Sequence, residues 1–334
     1  MRKKVLSLTF VAILVLSLAV GCTTGGDSEI VVGMITDTGG LGDQSFNDSA
    51  WAGLEKAKKE LKIAPKVLES QSADDYGPNL TSFAEEKADL IIGVGFLFEE
   101  SMKAAAEQFP EQKFAVVDTV IDAPNVASLT FAANQGSYLV GVAAGLATET
   151  NKIGFIGGMQ YPTIQEFEFG FRAGVKAVNP DAEVFVQYAD SFEDAGKGKE
   201  IALAQHNKGA DVIYHAAGGV GVGLMQAAEE KGFWAIGVDR DQSELAPKNV
   251  LCSMIKRVDA ATYSISKDIV DGKFEGGLKK YDVTDGAIGY SDNAGNLPED
   301  IKAVMEEHKQ AIIDGKIVVP NTEEEFNAFQ IPQL

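Results

Sequence analysis

Two stretches of the sequence, Glu86-Lys-Ala-Asp-Leu-Ile-Ile92 and Lys208-Gly-Ala-Asp-Val-Ile-Tyr214, carry the same pattern at two places in the chain. In each stretch an Ala-Asp pair opens an apolar run, and an aspartate closes the next strand-like run at a matched distance. That distance is 30 residues from position 88 to Asp118 and 29 residues from position 210 to Asp239. A shared motif with shared spacing indicates that the chain is built from two similar halves.

Around each copy, short β-branched runs alternate with longer stretches whose apolar residues recur at helical spacing. Strands are predicted at 29–35, 66–68, 88–92 and 114–117 in the first half, and at 152–156, 183–187, 211–214 and 234–238 in the second. Helices are predicted at 46–61, 77–87, 99–109, 165–178, 197–208 and 222–231. Continuously apolar strands that alternate with helices form parallel sheets covered on both faces. The sequence therefore predicts an α/β protein with two doubly wound parallel-sheet lobes.

The N-terminal residues predict export. Basic residues at 2–4 precede an uncharged run at 5–20, which suits a secretory signal and is short for a stable membrane span. At the end of that run Cys22 follows a glycine, and this arrangement resembles the bacterial lipoprotein cleavage site. We therefore expect residues 1–21 to be a lipoprotein signal peptide, Cys22 to carry the lipid, and 22–28 to be a flexible tether. An ordinary signal peptide or an N-terminal anchor is the alternative.

Charge and composition exclude several classes of function. The 334 residues contain 29 Lys and Arg against 49 Asp and Glu, a net charge of −20, whereas nucleic-acid binding needs a basic face. The three histidines show no metal-ligand spacing, and the two cysteines cannot form a structural zinc site. The hydrolase elbow and the phosphate-loop motif are both missing. No nucleic-acid partner, metal, cofactor or catalytic residue is therefore predicted.

Aspartates and aromatic residues mark a candidate binding site. Asp37, Asp118 and Asp239 each follow a predicted strand, and ligands of open parallel sheets bind at the carboxyl ends of the strands. Phe46 and Phe192 lie in loops of opposite lobes, where two opposed rings would form a stacking slot for a flat ligand. Each aspartate could instead cap a helix or a turn, and each phenylalanine could belong to the core.

A glycine-rich run at 218–223 follows another predicted strand and precedes a helix. It lacks the G-x-G-x-x-G spacing of dinucleotide-binding loops, and no acidic residue ends a strand at the required distance. We interpret it as a turn whose backbone N–H groups contact a neutral ligand at close range.

Several strings together resemble the basic membrane protein family of lipoproteins, which are purine-nucleoside receptors that supply ABC transporters. They are Asp37-Thr-Gly-Gly-Leu-Gly-Asp-Gln-Ser-Phe-Asn47, Gly93-Val-Gly-Phe96, Ser128-Leu-Thr-Phe131 with Gly136-Ser-Tyr-Leu139, Phe167-Glu-Phe-Gly-Phe-Arg-Ala-Gly174 and Met254-Ile-Lys-Arg-Val-Asp259. The resemblance extends along nearly all of the chain that follows the predicted signal peptide. It implies a type I periplasmic-binding-protein fold, in agreement with the two predicted lobes.

The resemblance also implies a set of ligand contacts. Phe46 and Phe192 would sandwich the purine base, with Phe96 and Phe167 as other candidates for the second ring. From the first lobe, base or ribose would be bonded by Asn47 and Asp118, with Asp37 close by. From the second lobe, the contacts would come from Gly219, Asp239 and Lys256. Carboxylates outnumber cations in this set, which suits the hydroxyls of an uncharged nucleoside and would repel a nucleotide.

In such a fold the chain crosses between the lobes more than once. The expected first lobe comprises residues 29–132 plus 252–278, and the expected second lobe comprises 133–251 plus 279–334. Crossings near 132–135, 248–253 and 277–283 would form a multi-stranded hinge. A helix at 260–270 is expected to pack on the first lobe and a helix at 299–314 on the second.

The expected function is therefore that of a lipid-anchored receptor on the extracytoplasmic face of the membrane. It would bind guanosine, adenosine or inosine by hinge closure and pass the nucleoside to an ABC transporter permease, and it is expected to be a monomer. A sugar or amino-acid receptor, a nucleoside hydrolase and a signalling sensor of the same architecture are the alternatives.

Overall fold

The computed structural model describes residues 29–333. The predicted signal peptide, the predicted lipidation site at Cys22 and the predicted tether lie outside the described residues. No helix between residues 29 and 333 has the length and apolar character needed to cross a lipid bilayer.

Strands and helices alternate along nearly the whole described chain. The strands are β1 (Val31–Ile35), β2 (Ala64–Leu68), β3 (Leu90–Val94), β4 (Phe114–Val117), β5 (Val126–Phe131), β6 (Lys152–Gly157), β7 (Glu183–Tyr188), β8 (Val212–Ala216), β9 (Trp234–Gly237), β10 (Val250–Lys256), β11 (Gly277–Tyr281) and β12 (Ile288–Ser291). The α-helices are α1 (Phe46–Leu61), α2 (Tyr76–Glu85), α3 (Glu99–Gln108), α4 (Ala133–Ala147), α5 (Pro162–Val178), α6 (Ala195–Asn207), α7 (Val220–Lys231), α8 (Val258–Val270), α9 (Glu299–Ile313) and α10 (Glu323–Ala328). Every strand and helix that the repeated pattern predicts is present, with ends shifted by a few residues.

The strands form two six-stranded sheets with the same internal order. The first sheet runs β2-β1-β3-β4-β5-β11, and all its neighbouring strands are parallel. The second runs β7-β6-β8-β9-β10-β12, parallel except for β12, which pairs antiparallel with β10. Five strands of one sheet thus correspond in order to five of the other, and the predicted duplication and two-lobe α/β class are confirmed.

Each sheet has a point where the strand order reverses, and this point is where such folds bind ligands. In the first sheet β1 lies between β2 and β3, so the connection from β1 to β2 and the connection from β3 to β4 run to opposite sides. In the second sheet β6 lies in the same way between β7 and β8. The loops that follow β1, β3, β6 and β8 therefore line the natural crevice of each lobe.

Helix α4 is the main element that the periodic pattern does not predict. Twelve of its fifteen residues are buried, and it packs against α5, α9 and the β10–β12 pair. A helix that is apolar on all sides has no amphipathic period, so its sequence carries little of the usual helical signal. Its tight contact with α5 places it in the second lobe.

Two parts of the chain lie in different lobes from those predicted. The strand β10 belongs entirely to the second sheet, although residues 252–278 were expected in the first lobe. It pairs with β9 as the fifth strand of the repeat, equivalent to β5 in the first sheet. Conversely, β11 pairs with β5 in the first sheet, although residues from 279 onward were expected in the second lobe. The second and third crossings therefore lie at Arg257 and at 282–287 instead of near 248–253 and 277–283.

The remaining helices attach to the lobes by specific contacts. Helix α8 packs on α1 of the first lobe, where Thr262 donates a hydrogen bond to the carbonyl of Ala50 at 2.9 Å. Helix α9 packs on α4 of the second lobe, where the Tyr138 hydroxyl lies 2.8 Å from Nδ1 of His308. The chain therefore returns to the first lobe after β10 and to the second lobe after β11.

Candidate ligand-binding site

A cavity lies between the two lobes at the carboxyl ends of their strands. The space between the lining atoms is about 500 Å³, and this figure includes space open to solvent. Both lobes contribute to its wall, which comprises Asp37, Gly39, Asp43, Phe46, Asn47, Gly95, Phe96 and Asp118 from the first and Ile164, Phe167, Phe192, Ala216, Ala217, Gly218, Val238, Asp239 and Lys256 from the second. Seven of the eight predicted ligand-binding residues are thus brought together.

Asp37 and Asn47 form a hydrogen-bonded pair on the first-lobe side. The Asn47 amide Nδ2 donates to Oδ1 of Asp37 at 2.7 Å, and the same oxygen accepts from the N–H of Gly39 at 2.9 Å. Burial raises the pKa of Asp37 to about 7, and the carboxylates of Asp43 and Asp239 add to the rise. The two hydrogen bonds oppose this rise because they favour the charged form.

Asp43 fixes the position of this pair by capping the first turn of α1. Its carboxylate accepts from the backbone N–H groups of Ser45, Asn47 and Asp48 at 2.9, 2.8 and 3.1 Å. It also accepts from the Asn47 amide at 3.1 Å. A carboxylate at a helix N-terminus satisfies N–H groups that have no partner within the helix. The loop from 37 to 47 is therefore held by its own aspartates.

Lys256 and Asp118 form a buried ion pair across the two lobes. The ammonium of Lys256, on β10, bonds the carboxylate of Asp118, which follows β4, and both side chains are more than nine-tenths buried. The same ammonium lies over the rings of Phe46, Phe131 and Phe167, at 4.6, 5.2 and 5.5 Å from their centroids. Its charge is thus compensated within the protein by one carboxylate and three aromatic faces.

Asp239 makes a second contact between the lobes. Its carboxylate accepts a hydrogen bond from the Ser45 hydroxyl of the first lobe. Burial raises the pKa of Asp239 to about 6, while Lys256 and Ser45 oppose the rise. Asp118 and Asp239 also share an unusual backbone conformation, with φ of 68° and 66°. Residues in this left-handed region other than glycine often mark functional sites, and here the two equivalent strand ends of the repeat adopt it together.

Three phenylalanine rings besides Phe46 line the cavity. Phe192 and Phe96 approach edge to face, with centroids 6.2 Å apart and planes at 74°. The Phe192 ring lies directly on Gly158, where an added methyl group would be 2.1 Å from its Cε1. Phe167 faces the Lys256 ammonium. The predicted pair of Phe46 and Phe192 therefore lies in one cavity, with Phe96 and Phe167 also in its wall.

Gly219 does not line the cavity. Its N–H donates to the carbonyl of Phe192 at 2.8 Å and is therefore occupied by the protein itself. Gly218, with φ of 55°, is the glycine of this turn that lines the cavity. Gly218 therefore lines the cavity in place of the predicted Gly219, and Gly219 holds the Phe192 loop.

Several residues of the site escaped the sequence analysis. Asp43 and Ser45 lie within the string 37–47 but were not named as site residues, although an aspartate just before a helix is a recognised capping signal. Gln242 reaches across the rim of the cavity, where its Nε2 donates to the carbonyl of Gln44 at 2.9 Å. No local pattern marks Gln242, because its role depends on the approach of the other lobe.

Within residues 29–333, no group of three or more His, Cys, Asp or Glu side chains is arranged to hold a metal ion. The cavity chemistry consists of aromatic faces, carboxylates and one amide, enclosed between two lobes. Two doubly wound lobes with such a cavity define a type I periplasmic-binding-protein fold.

Comparison with known proteins identifies the family within this class. A family model described as "ABC transporter substrate-binding protein PnrA-like" matches residues 30–323, and the chain belongs to this family. The protein is therefore an extracytoplasmic substrate-binding protein of an ABC transporter and not an enzyme. The resemblance to basic membrane proteins is confirmed, since a basic membrane protein A of Borreliella burgdorferi is 35% identical over 306 residues.

Two further relatives and one solved structure show how far the similarity extends. The ABC transporter nucleoside-binding protein BmpA of Lactococcus lactis is 40% identical over 352 residues, covering 96% of this chain and 100% of that protein. The CD4+ T-cell-stimulating antigen of Listeria monocytogenes is 44% identical over 315 residues, covering 87% and 88%. A solute-binding protein of an ABC transporter system from Aeropyrum pernix K1 superimposes with a TM-score of 0.82 at 30% identity, covering 90% of this chain and 96% of that one.

Proposed function

We propose that this protein is a lipid-anchored receptor that binds purine nucleosides in the interlobe cavity for uptake by an ABC transporter permease. The observation that carries the proposal is a single buried cavity that combines four phenylalanine rings with four carboxylates. Rings offer stacking surface to a planar base, and carboxylates accept hydrogen bonds from ribose hydroxyls and base N–H groups. The nucleoside-binding relative from Lactococcus lactis supports the same ligand class.

The charge of the cavity favours a nucleoside over a nucleotide. Among the described residues of its wall, Lys256 is the single cation, and Asp118 already neutralises it. A phosphate would therefore be buried without a free cation and close to Asp37, Asp43 and Asp239, at a large electrostatic cost. We assign base stacking to Phe46 and Phe192, base contacts to Asp37 and Asn47, and ribose contacts to Asp118 and Asp239. Lys256 would orient Asp118.

Isothermal titration of ligand-stripped protein with guanosine, adenosine and inosine tests the ligand class. We expect binding of at least one of these nucleosides and no binding of the matching 5′-monophosphate. Absence of heat with all three nucleosides would defeat the assignment. Ribose that competes as well as guanosine would favour a sugar receptor instead, and release of free base during incubation would favour a hydrolase.

The lipid anchor is proposed from the N-terminal sequence, in which Cys22 ends the signal-like run. Labelling of cells with radioactive palmitate should mark the wild-type protein and leave a Cys22→Ser variant unlabelled. The variant should also appear in the soluble extracytoplasmic fraction or remain uncleaved. Equal labelling of both proteins would show that Cys22 does not carry the lipid. A Cys252→Ser variant, which changes a buried cysteine of β10, is the matched control.

A further inference from the structure

The amide of Asn47 has a fixed orientation. Its Nδ2 donates to the carboxylates of both Asp37 and Asp43, at 2.7 and 3.1 Å. A flipped amide would direct its oxygen at two carboxylates, so the hydrogen-bond network determines which atom is the nitrogen. Both Nδ2 protons are thus used within the protein, and Asn47 can offer a ligand only its Oδ1, which accepts.

That Oδ1 atom is buried and has no hydrogen-bond partner among residues 29–333. A buried acceptor without a partner costs free energy unless a donor from outside the protein satisfies it. Because Asn47 lines the cavity, the ligand is the natural source of that donor. One requirement on the ligand is therefore fixed by the structure: a hydrogen-bond donor opposite Asn47.

The second recognition atom is Oδ2 of Asp37. Both hydrogen bonds that this carboxyl group receives from the described part of the chain go to Oδ1, from Asn47 and Gly39, and none goes to Oδ2. A methyl group added to Gly95 would lie 3.3 Å from Oδ2 of Asp37 and 3.7 Å from Cε1 of Phe46. Oδ2 and the edge of the ring on which we propose the base stacks therefore border the same space at Gly95. Unlike the fixed acceptor of Asn47, Oδ2 can change between acceptor and donor by taking up a proton.

We infer that Asn47 and Asp37 determine which purine bases the cavity accepts, and that the proton on Asp37 selects between two classes. With Asp37 ionised, two neighbouring acceptors match the N1–H and 2-amino donors of guanine. With Asp37 protonated at Oδ2, one acceptor and one donor match the 6-amino group and N1 of adenine. This inference rests on the proposed nucleoside function and goes beyond it by giving a rule for base selectivity.

The surroundings of Asp37 place the pKa of its carboxyl group within the physiological pH range. The titratable groups near Asp37 are Asp43, Asp239 and the Tyr76 hydroxyl of α2. None of these groups is a cation that would stabilise the ionised form of Asp37. Lys256, in the same cavity, is engaged by Asp118. Burial with like-charged neighbours raises the pKa of Asp37 to about 7. Both protonation states are therefore populated near neutral pH.

The test compares guanosine and adenosine affinities by titration calorimetry over a range of pH. Between about pH 6 and pH 8 we expect guanosine to bind about tenfold more tightly and adenosine about tenfold more weakly, because each needs a different protonation state. The ratio of the two affinities should therefore rise about a hundredfold. Protonation of Asp239 should not change this ratio, since its proposed contact is with the ribose that both nucleosides share.

Two variants test whether the pH dependence of the affinity ratio comes from Asp37. Asp37→Asn cannot titrate and should bind with a guanosine-to-adenosine ratio that is independent of pH. Glu166→Gln is the matched control. Burial also raises the pKa of Glu166 to about 7, but this residue of α5 is not among those lining the cavity. The Glu166→Gln variant should show the same change of the guanosine-to-adenosine ratio with pH as the wild type.

Wild-type protein alone can decide the inference if Asp37→Asn does not fold. At about pH 7, titrations in buffers of different ionisation enthalpy should reveal uptake of about half a proton with adenosine and release of about half a proton with guanosine. Binding of both nucleosides at a ratio that does not change with pH would overturn the selectivity rule and leave the proposed function intact. Absence of binding by either nucleoside would overturn both.

Discussion

The buried Lys256 illustrates how single residues shape this site. The family resemblance implies that it contacts the ligand. In the structure its ammonium is engaged by Asp118 and surrounded by the rings of Phe46, Phe131 and Phe167. A cation that is already paired attracts an anionic ligand only weakly. Four aspartates and one neutralised lysine therefore support the proposed preference of the cavity for uncharged, hydroxyl-bearing ligands.

Substitution of Phe46 tests the stacking role at the residue scale. Phe46→Leu should weaken nucleoside binding about 5- to 150-fold, because loss of one aromatic partner costs roughly 1–3 kcal/mol per stacked base. Phe185→Leu is the matched control, since Phe185 lies half-buried on β7 and is not among the residues lining the cavity. Titration calorimetry measures both. Equal affinities of Phe46→Leu and wild type would contradict the stacking role.

The same measurement identifies the second ring. Phe192, Phe96 and Phe167 all line the cavity, and leucine substitutions of each should separate their roles. We expect Phe192→Leu to match the loss seen with Phe46→Leu, and Phe96→Leu to have a smaller effect because Phe96 supports Phe192 edge to face. A larger loss with Phe167→Leu than with Phe192→Leu would transfer the stacking role to Phe167.

His215 makes stability depend on pH. It is fully buried on β8, its Nε2 donates to Oε1 of Gln242 at 2.8 Å, and burial lowers its pKa from 6.5 to about 4. As pH falls below 6.5, the unfolded chain gains a proton that the folded protein cannot accept. This histidine should therefore reduce the free energy of unfolding by about 2 kcal/mol between about pH 7.5 and pH 5.

Urea unfolding of wild type and His215→Gln at both pH values isolates this effect. Asp37 and Asp239 have raised pKa values and change stability in the opposite sense, but they are present in both proteins and cancel in the difference. The stability advantage of the wild type should shrink by about 2 kcal/mol at the lower pH. A difference that stays constant with pH would refute the assignment to His215.

At the scale of elements, the α4–α5 contact is the most extensive helix pairing in the second lobe. Glycines on both helices allow the backbones to meet, and an added methyl group at Gly174 would lie 2.0 Å from the carbonyl oxygen of Tyr138. Neither helix can retreat easily, because α5 packs on the second sheet and α4 on α9 and β10. This pairing holds the start of α4, directly after the first crossing, in a fixed position.

Gly174→Ala should destabilise the protein by at least about 3 kcal/mol, because the methyl group would collide with backbone atoms that cannot rotate away. Gly289→Ala on β12 is the matched control, since an added methyl group there meets nothing within 4 Å and its φ is not positive. It should change the free energy of unfolding by less than about 0.5 kcal/mol. Thermal unfolding of both variants gives the comparison, and similar melting temperatures would contradict the close-packing argument.

At the scale of the whole molecule, polar contacts join the lobes around the cavity. Ser45 bonds Asp239, Lys256 bonds Asp118, and the amide of Gln242 bonds the carbonyl of Gln44. Hinge proteins of this class enclose their ligands when such contacts form. Gln242 lies outside the residues that line the cavity, so its contribution to closure can be tested without changing the ligand contacts.

Gln242→Glu should break one lobe contact selectively. In the wild type, Oε1 of Gln242 accepts hydrogen bonds from the N–H of Val238 and from His215, and a glutamate oxygen can accept both. The glutamate has no N–H, however, and places a second acceptor opposite the carbonyl of Gln44. Loss of this bond should speed nucleoside dissociation about 5- to 30-fold, corresponding to about 1–2 kcal/mol. The radius of gyration of the ligand-free protein should also increase. Stopped-flow fluorescence and small-angle scattering provide the two measurements.

Gln205→Glu serves as the control for Gln242→Glu. The amide of Gln205 donates to the carbonyls of Phe155 and Phe185, both within the second lobe. Its substitution should lower the unfolding temperature without changing the dissociation rate. If both variants dissociate nucleoside equally fast, the effect of Gln242 would reflect general destabilisation and not lobe closure.

The sequence by itself determined the architecture and most of the predicted residues that line the cavity. Buried strands carry continuous apolar runs and amphipathic helices carry a 3.6-residue period, so the sequence predicts the repeat and both sheets. Seven of the eight predicted residues line one cavity. The tertiary structure alone decided that β10 and β11 exchange lobes, that Gly218 replaces Gly219 in the cavity wall, and that Gln242 spans the rim. Local patterns record burial and conformational preference within an element. Partner strands, hydrogen-bond partners and contacts between lobes depend on residues outside the element itself, and the local sequence carries no record of them.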